Sequence, residues 1–516
     1  MARRFAVSGI IIAVFASVLY ADALLAQFRL DAVRKYRQQH EKAILQQLVE
    51  FLRIPNVASD SANIWKNANF ILDMLKRRNI QARLLTIPGS PPAVYGELPV
   101  PGAKRTVMLY VHYDGQPVNP VQWASDPWQP VFRDRLPQEG GRAVPLDALP
   151  EPVPGDWRIY ARSASDDKSP LIALMTALDA LQANRIPITV NLKFFFEGEE
   201  EAGSPHMRAF LEKYKDLLQA DVWLLCDGPV HQTGKKLVYF GARGITGVDI
   251  TTYGPARPLH SGHYGNWAPN PISQLVHLLA SLRDIDGKVT IDGYMDDVRP
   301  LTDTEKQAIQ KAPNLEQHLK NELALAWTEG QGRRLEELIL LPAVNFKGLV
   351  SGQVGEKARN AIQTEATASV GFRLVPDQTP EKVRERVEAH IRKLGFHIVH
   401  EPPDLETRRK YPKLVYLRWE KGYPPARTSL DLPVSKAVIQ ILEEVRKEPV
   451  VVLPSTGGSI PMYLFQEVLG SEVILVPMVN HDNNQHAENE NLRIQNLWDG
   501  IEMYAALMAR LGEVWR

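Results

Sequence analysis

Four carboxylates crowd together directly after a predicted buried strand. The strand is the apolar run 188–196, which is rich in β-branched and aromatic residues. The acids are Glu197, Glu199, Glu200 and Glu201. Like charges at the end of a core strand repel one another and lose hydration, so they are costly unless a cation lies among them. The stretch therefore indicates a cation site, with a plain acidic turn between strand and helix as the alternative.

Further candidate ligands stand beside the other apolar runs. The residues are His112 and Asp114, Asp166 and Asp167, Asp227, and His486 beyond the last predicted strand. In an open parallel sheet, binding sites form outside the carboxyl ends of the strands, so residues far apart in sequence can meet there. Taken singly, a His-X-Asp is also typical of a hydrogen-bonded pair, and an Asp-Asp of a helix N-cap.

The donor types favour a pair of divalent cations. Two histidines and a surplus of carboxylates occur without a thiolate cluster or a His-Glu-X-X-His helix. A bridging carboxylate suits two cations because it offsets their repulsion, and water held between them ionises near neutral pH. An unliganded carboxylate nearby can then act as a general base.

The elements around these residues predict an α/β chain with an inserted domain. Helices are expected at 31–54, 62–78 and 169–181, strands at 106–111, 188–196 and 221–226, and a long loop at 116–154. This alternation favours a mainly parallel, doubly wound sheet. From about residue 235 the pattern changes to hairpin strands at 238–240 and 248–252, a helix from Pro271, a helical block at 302–340, a strand at 366–374 and a helix at 380–394. These elements favour a smaller α+β, ferredoxin-like domain. The alternation of helices and strands then resumes with helix 434–446, strand 472–479 and helix 497–511.

Length and composition set the remaining bounds. The 516 residues suit two domains, predicted as a catalytic domain at 27–235 and 429–516 that is interrupted by residues 236–428. Sixty basic and sixty acidic residues cancel, which argues against nucleic acid or an anionic membrane surface as a partner. The single cysteine, Cys226, excludes an intrachain disulfide.

The N-terminus carries a targeting pattern. Arg3 and Arg4 precede an apolar run at 6–20, and small residues follow. This is typical of a secretory signal peptide at residues 1–26. The expectation is therefore export to the periplasm or the medium, with an uncleaved N-terminal membrane anchor as the alternative.

The motifs together resemble those of the M20 metallopeptidases, especially the carnosinase-like dipeptidase branch, over nearly the whole chain after residue 30. They are His112-Tyr113-Asp114, the segment 162–168 with Asp166-Asp167-Lys168, the segment 197–204, Cys226-Asp227-Gly228 and the segment 486–490. The resemblance implies two zinc ions, with Mn²⁺ or Co²⁺ as possible substitutes. Asp166 would bridge the ions, Glu201 and His486 would complete one site, and His112 and Asp227 the other. Glu200 would be the general base, and Asp114 would orient His112.

The resemblance also implies that the inserted domain is a lid that forms a homodimer. His260, in Leu259-His260-Ser261-Gly262, would reach the partner subunit's active site and polarise the scissile carbonyl. Arg373 would hold the substrate's terminal carboxylate, aided by Gly458 and Ser459 in a Gly-Gly-Ser loop. Considered one at a time, these residues have simpler interpretations: His260 as a histidine in a turn, Arg373 as a surface residue and the Gly-Gly pair as an ordinary turn. Ser163 and Ser169 stand where the family commonly has glycine, and serine lacks glycine's freedom at positive φ.

These features predict a zinc-dependent exopeptidase for small peptides with a free C-terminal carboxylate, most simply dipeptides. An amidase acting on N-acyl amino acids, or a carboxypeptidase, is the alternative on the same site. A non-catalytic binding protein on the same scaffold is a more distant alternative, which the presence of all five ligands and Glu200 disfavours.

Overall fold

The computed structural model describes residues 30–516, which form two compact units. The first unit contains the described residues up to Val238 together with Leu430–Val452 and Leu464–Arg516. The second contains Tyr239–Ser429 and Leu453–Tyr463. The chain therefore enters the second unit twice, first at Tyr239 and again at Leu453.

An eight-stranded mixed sheet forms the centre of the first unit. Its strands, in spatial order, are Gln81–Leu85, Ala93–Leu98, Asn191–Glu197, Thr106–His112, Val222–Leu225, Glu472–Leu475, Leu237–Tyr239 and Val451–Leu453. Four central neighbours run parallel, whereas the first two strands pair antiparallel at one edge. The central strands read as continuous apolar runs because both of their faces are buried. The predicted α/β class is confirmed, with a sheet that is parallel only at its centre.

Helices cover this sheet at positions close to those predicted. Their bounds are 30–39, Glu41–Leu52, Ser61–Lys76, Lys168–Ala183, Met207–Lys213, Lys215–Leu218, Pro433–Arg446 and Ile494–Val514, with a π-helical segment at Phe465–Leu469. The Lys168–Ala183 helix packs against both Ile494–Val514 and Glu41–Leu52. Most of its residues are apolar because most of them are buried.

A second sheet has four strands, two of which lie where the sequence predicted a long loop at 116–154. Its strands are Asn491–Arg493, Arg158–Tyr160, Val131–Arg133 and Ala143–Val144, all antiparallel, with 3₁₀ turns at Pro120–Gln122, Pro137–Glu139 and Leu146–Ala148. The loop prediction is wrong here because strands of two or three residues leave no period to detect. Asn491–Arg493 follows His486 closely in sequence, so this sheet anchors the segment that carries this candidate ligand.

The second unit contains a five-stranded sheet. In spatial order its strands are Ala343–Val350, Glu365–Leu374, Gly244–Tyr253, Leu414–Trp419 and His397–Val399. Counted along the chain, the first four have the order 2-3-1-4, which is that of a ferredoxin-like sheet. Helices Pro271–Leu282 and Pro380–Lys393 contribute buried residues to its apolar core. Shorter helices are Ser261–Tyr264, Asp303–Lys311, Glu316–Glu322, Leu335–Leu338 and Leu405–Lys410, with a 3₁₀ turn at Gly355–Lys357.

Two predictions for the second unit are corrected. The strands expected at 238–240 and 248–252 do not form a hairpin, because Leu237–Tyr239 belongs to the eight-stranded sheet while Gly244–Tyr253 pairs with Glu365–Leu374 and Leu414–Trp419. Gly241–Ala242 pairs instead with Ala426–Arg427, and Leu259–His260 with Ala361–Ile362. The helical block predicted at 302–340 is three short helices, because Pro313 and two left-handed glycines, Gly330 and Gly332, interrupt it.

Within the described part of the chain, no helix is both long and apolar enough to cross a membrane. The segment 1–26, on which the targeting prediction rests, lies outside the described residues.

Candidate metal centre

Three neighbouring parallel strands bring candidate ligands to one edge of the eight-stranded sheet. His112 is the last residue of Thr106–His112, Asp227 follows Val222–Leu225, and the turn with Glu200 and Glu201 follows Asn191–Glu197. Because parallel strands end at the same edge, these side chains converge there. Asp166 and His486 reach the same place from the loops before Lys168–Ala183 and before Asn491–Arg493.

The five predicted ligands fall into two groups that share one aspartate. His112, Asp166 and Asp227 form one group, and Asp166, Glu201 and His486 form the other, with donor atoms in each within 4.8 Å of one another. Oδ1 of Asp166 lies 2.8 Å from Nε2 of His112. Oδ2 of the same carboxylate lies 3.1 Å from Nε2 of His486, which is 3.2 Å from Oε2 of Glu201. The two oxygens of Asp166 thus face different groups, as a bridging carboxylate requires.

Asp114 links the histidine to the acidic turn. Its two carboxylate oxygens accept hydrogen bonds from the backbone N–H groups of Glu200 and Glu201, each at 3.0 Å. One of these oxygens also lies 3.4 Å from Nδ1 of His112. A proton on Nδ1 that is shared with Asp114 would leave Nε2 of His112 free to bind a cation. The structure therefore gives Asp114 a second contact that the sequence did not indicate, since it also holds the turn of Glu200 and Glu201.

The pKa values of the grouped acids and histidines reflect an excess of buried negative charge. Burial and the neighbouring Asp166 raise the pKa of Asp227 to about 7. Burial opposes ionisation of Asp166 as well, but hydrogen bonds from His112 and His486 outweigh it and lower the pKa of Asp166. Hydrogen bonds to Asp166 and Glu201 raise the pKa of His486 to about 10. Without cations, the negative charge of these acids is therefore reduced by protonation, as at Asp227, or balanced by a protonated histidine, as at His486.

Asp167 adds to this excess of negative groups. Its carboxylate is fully buried, and neither oxygen has a hydrogen-bond partner within residues 30–516. Burial and the nearby Asp227 raise the pKa of Asp167. Imidazole nitrogens and carboxylate oxygens, with Cys226 outside both groups, are donors that suit Zn²⁺, Mn²⁺ or Co²⁺. The residues present therefore fit two divalent cations, one in each group.

Glu200 lies in neither donor group, although it neighbours both. Its backbone is fixed by Asp114, and burial raises the pKa of its carboxyl well above the usual range, with Asp227 and Asp166 adding to the shift. With cations bound in the two groups, the Glu200 carboxylate would lie near them without binding either, so it would be available to accept a proton.

The second unit brings together the predicted carboxylate-binding residues. A guanidinium nitrogen of Arg373 donates to Oγ of Ser459 at 2.5 Å, and Gly458 accepts a hydrogen bond at its carbonyl from the backbone N–H of Arg243 at 3.1 Å. Arg243 is 7% exposed, and its pKa is lowered to about 10 by burial and by Arg373. Within residues 30–516, neither arginine forms an ion pair with an acid. The cluster therefore holds two guanidinium groups that an anion could neutralise.

His260 is the exposed last residue of the strand Leu259–His260 in the second unit. Its ring Nδ1 accepts a hydrogen bond from the backbone N–H of Gly262 at 3.1 Å, and its ring centre lies 4.5 Å from that of His263. The remaining edge of the imidazole is open to another molecule.

Sequence reasoning missed the residues that support the centre. Glu490, inside the last quoted motif but without a role there, binds the loop of Asp166, and Gln116 donates to Oε2 of Glu201 at 2.7 Å. Ser163 does adopt the left-handed conformation, with φ of 61°, and Asn56 donates to its hydroxyl at 2.9 Å. Arg243 stands in none of the quoted motifs, and it directly precedes the strand Gly244–Tyr253.

Two donor groups that share an aspartate at the ends of parallel strands define the site of a metal-dependent hydrolase. A family model described as "Peptidase family M20/M25/M40" matches residues 108–510, and the chain belongs to this family. The predicted resemblance and the assignment as a metallopeptidase enzyme are thereby confirmed.

Relatives from several organisms agree with this assignment. The chain is 27% identical over 432 residues to Cys-Gly metallodipeptidase dug1 of Schizosaccharomyces pombe, which covers 82% of this chain and 83% of the relative. It is 25% identical over 472 residues to Beta-Ala-His dipeptidase of Homo sapiens, covering 90% and 86%. Among solved structures, an M20 family metallo-carboxypeptidase from Sulfolobus solfataricus matches with a TM-score of 0.72 at 28% identity, covering 91% of this chain and 99% of that one.

The predicted localisation is corrected by these comparisons. The Cys-Gly metallodipeptidases that the chain matches are cytosolic enzymes. Export, by a cleaved signal peptide or by an N-terminal anchor, is therefore wrong as a prediction.

Proposed function

We propose that the chain is a dinuclear zinc peptidase that hydrolyses dipeptides with a free C-terminal carboxylate. The observation that carries the proposal is the position of Asp166, whose two oxygens face the two donor groups. His112, Asp166 and Asp227 would hold one zinc ion, and Asp166, Glu201 and His486 the other. When bound, the two ions would acidify a water molecule and polarise the scissile carbonyl.

The chain's own residues would carry the proton and hold the substrate. Glu200 would accept the proton of the attacking water and donate it to the leaving amine. Asp114 keeps the Glu200 turn and the His112 ring in place through the hydrogen bonds described above. Arg373 would bind the terminal carboxylate, with Ser459 fixing its guanidinium and Gly458 shaping the loop.

We further propose a homodimer in which His260 serves the partner's site. The exposed imidazole has an open edge that could donate to a carbonyl oxygen of another subunit's substrate. Ala343–Val350 supports self-association, because it is an edge strand of the five-stranded sheet and exposes Phe346, Leu349 and Val350.

Dipeptidase activity is favoured over the alternatives by the relatives. The matched proteins from S. pombe and H. sapiens are named for the dipeptides Cys-Gly and Beta-Ala-His. One solved structure, from S. solfataricus, is named as a metallo-carboxypeptidase and keeps that activity as the alternative. Both activities need the free carboxylate, so the distinction lies in how much peptide precedes the scissile bond.

The test combines metal analysis with a substrate panel. Purified protein should contain about two zinc ions per chain, lose activity on chelation and regain it when Zn²⁺ is restored. Dipeptides should be cleaved faster than their C-terminal amides, longer peptides or N-acetyl amino acids. Preferred cleavage of longer peptides would establish the carboxypeptidase alternative, and preferred cleavage of N-acetyl amino acids the amidase alternative. Metal content well below two per chain at full activity would contradict the dinuclear site.

A further inference from the structure

Glu490 is a buried carboxylate that the catalytic scheme leaves without a role. It is 0% exposed and lies four residues after His486. Its two oxygens accept five hydrogen bonds, all of them from the segment before and including Asp166. The donors are the Arg162 guanidinium at 2.8 Å, and the backbone N–H groups of Ser163, Ser165 and Asp166 and the Ser165 hydroxyl, each at 2.9 Å.

Glu490 accepts more hydrogen bonds than a structural ion pair with Arg162 would require. Arg162 alone would neutralise the charge of Glu490, and Arg162 is itself buried. The four other donors belong to the loop, and three of them are backbone N–H groups that point inward around one carboxylate. Such charge-assisted bonds fix the path of the backbone at the residue that carries the bridging side chain.

The same short segment holds Asp166 from its other side. Nε2 of His486 lies 3.1 Å from Oδ2 of Asp166, and Nε2 of Gln485 donates to this oxygen at 3.4 Å. Residues 485–490 therefore contact Asp166 at both its carboxylate and its backbone nitrogen. A shift of the loop relative to this segment would move Oδ1 and Oδ2 out of their respective donor groups.

We propose that Glu490 is a positioning residue for the metal centre. Through the loop 162–166 it fixes Asp166 so that each oxygen faces one donor group, and so it raises the affinity for both cations. The inference rests on the two-cation site of the proposed function. It adds a residue that contacts neither the cations nor the substrate.

The test measures zinc affinity without any peptide. Metal-free protein is titrated with Zn²⁺ against a chromophoric chelator, for wild type and for Glu490→Gln. The amide keeps the shape of the carboxylate but turns an NH₂ group towards donors, so the loop loses part of its support. The expected result is zinc affinity roughly 10- to 100-fold weaker, the range found for lost outer partners of metal ligands. Because no peptide is present, failure of this inference and failure of the peptidase proposal are separate results.

Glu41→Gln is the matched control. Glu41 is also buried, at 3% exposed, pairs with Arg37 and accepts a backbone hydrogen bond from Val153 at 2.8 Å, but it has no contact with the Asp166 loop. It should lose stability to urea like Glu490→Gln and yet bind zinc as wild type does. Wild-type zinc affinity in Glu490→Gln would overturn the inference and leave Glu490 a structural residue, as would an equal loss of affinity in Glu41→Gln.

A milder variant covers the case in which Glu490→Gln does not fold. Ser165→Ala removes only the hydroxyl donor to Glu490 and keeps the three backbone bonds. Zinc affinity should then fall about five-fold, as expected for one lost hydrogen bond. Unchanged affinity in folded Ser165→Ala would overturn the inference in that case.

Discussion

Glu200 and Glu201 are adjacent in sequence, yet the structure separates what they can do. Glu201 lies within 3.2 Å of the His486 imidazole and belongs to a donor group, whereas Glu200 belongs to neither. Asp114 accepts a hydrogen bond from the backbone N–H of each, and a one-residue shift of the turn would place Glu200 where Glu201 now lies. The proposed division between ligand and base therefore depends on the backbone register of the turn.

Replacement of Glu200 by alanine should separate metal binding from turnover. We expect Glu200→Ala to retain about two zinc ions per chain and to lose roughly 10²- to 10⁴-fold in kcat, the usual contribution of a general base. Steady-state kinetics on a cleaved dipeptide, with metal analysis of the same preparation, measure both quantities. Glu199→Gln is the control in the same turn, because Glu199 contacts His206 instead of the donor groups; it should stay close to wild type. Near-normal turnover by Glu200→Ala would remove Glu200 from the mechanism.

Replacement of Arg373 by lysine should change how the enzyme treats the substrate's carboxyl end. Lysine keeps the charge but loses the planar fork that binds a carboxylate through two hydrogen bonds. We expect a large loss in kcat/KM for dipeptides and little change for their C-terminal amides. Arg418→Lys is the control, since Arg418 is an exposed arginine of the same sheet that pairs with Asp249. Equal losses on both substrates would assign Arg373 a structural role.

The sequence indicated the candidate ligands more readily than the residues that support them. His112, Asp166, Asp227, Glu201 and His486 follow apolar runs or sit in motifs, so their types and places are visible in one dimension. Glu490 and Asp114 act on backbone N–H groups, and those donors belong to every residue except proline. A side-chain pattern in the sequence therefore does not predict such a bond. The hydrogen bonds between Glu490 and the Asp166 loop can be seen only in the folded structure.

At the scale of elements, prediction succeeded where a local signal was strong. The helices at Ser61–Lys76 and Pro433–Arg446 begin where a side-chain cap or an N-terminal proline marks them. It failed for the strands Val131–Arg133 and Ala143–Val144, which pair with each other, the first of them also with Arg158–Tyr160. Two-residue and three-residue strands are selected by tertiary contacts, so the sequence around them reads as loop.

The contact between the strand at Leu237–Tyr239 and the C-terminal helix contains a poorly satisfied lysine. Lys236 is 4% exposed, lies 3.8 Å from Asp499 of that helix, and its Nζ has no hydrogen-bond partner within residues 30–516. Asp499 also pairs with Arg446. Burial and Arg446 lower the pKa of Lys236 to about 7. The charged form of Lys236 therefore opposes folding.

We expect Lys236→Met to stabilise the protein near neutral pH. Because the folded-state pKa lies below the unfolded value of about 10.4, the stability of the wild type is full above that value and is lost as pH falls towards 7. Methionine removes this loss, so the variant should be more stable by about 1 kcal/mol at pH 7 and by less at pH 9. Urea unfolding at both pH values measures the difference. The neighbour Lys235→Met, at a half-buried position, should show no such pH dependence, and a gap independent of pH would contradict the prediction.

At the scale of the whole molecule, the chain divides its chemistry between two units. The donor groups and Glu200 belong to the first unit, whereas Arg373, Ser459 and His260 belong to the second. Each unit alone holds an incomplete set of the proposed catalytic groups. If His260 acts on the partner's substrate, the smallest active species is a dimer, and activity should depend on protein concentration below the dissociation constant.

Subunit mixing tests this shared site directly. His260→Ala and Glu200→Ala should each be nearly inactive alone. A mixed dimer would contain one site with an intact Glu200 from one chain and an intact His260 from the other. Complete exchange of a 1:1 mixture of symmetric dimers should therefore restore about a quarter of wild-type activity. Glu200→Ala mixed with Glu201→Ala is the control, because both changes fall in the same turn and no mixed dimer has an intact site. Mass-tagged subunits would report the exchange itself, and complete exchange without recovery in the first mixture would place His260 in its own chain's site or outside catalysis.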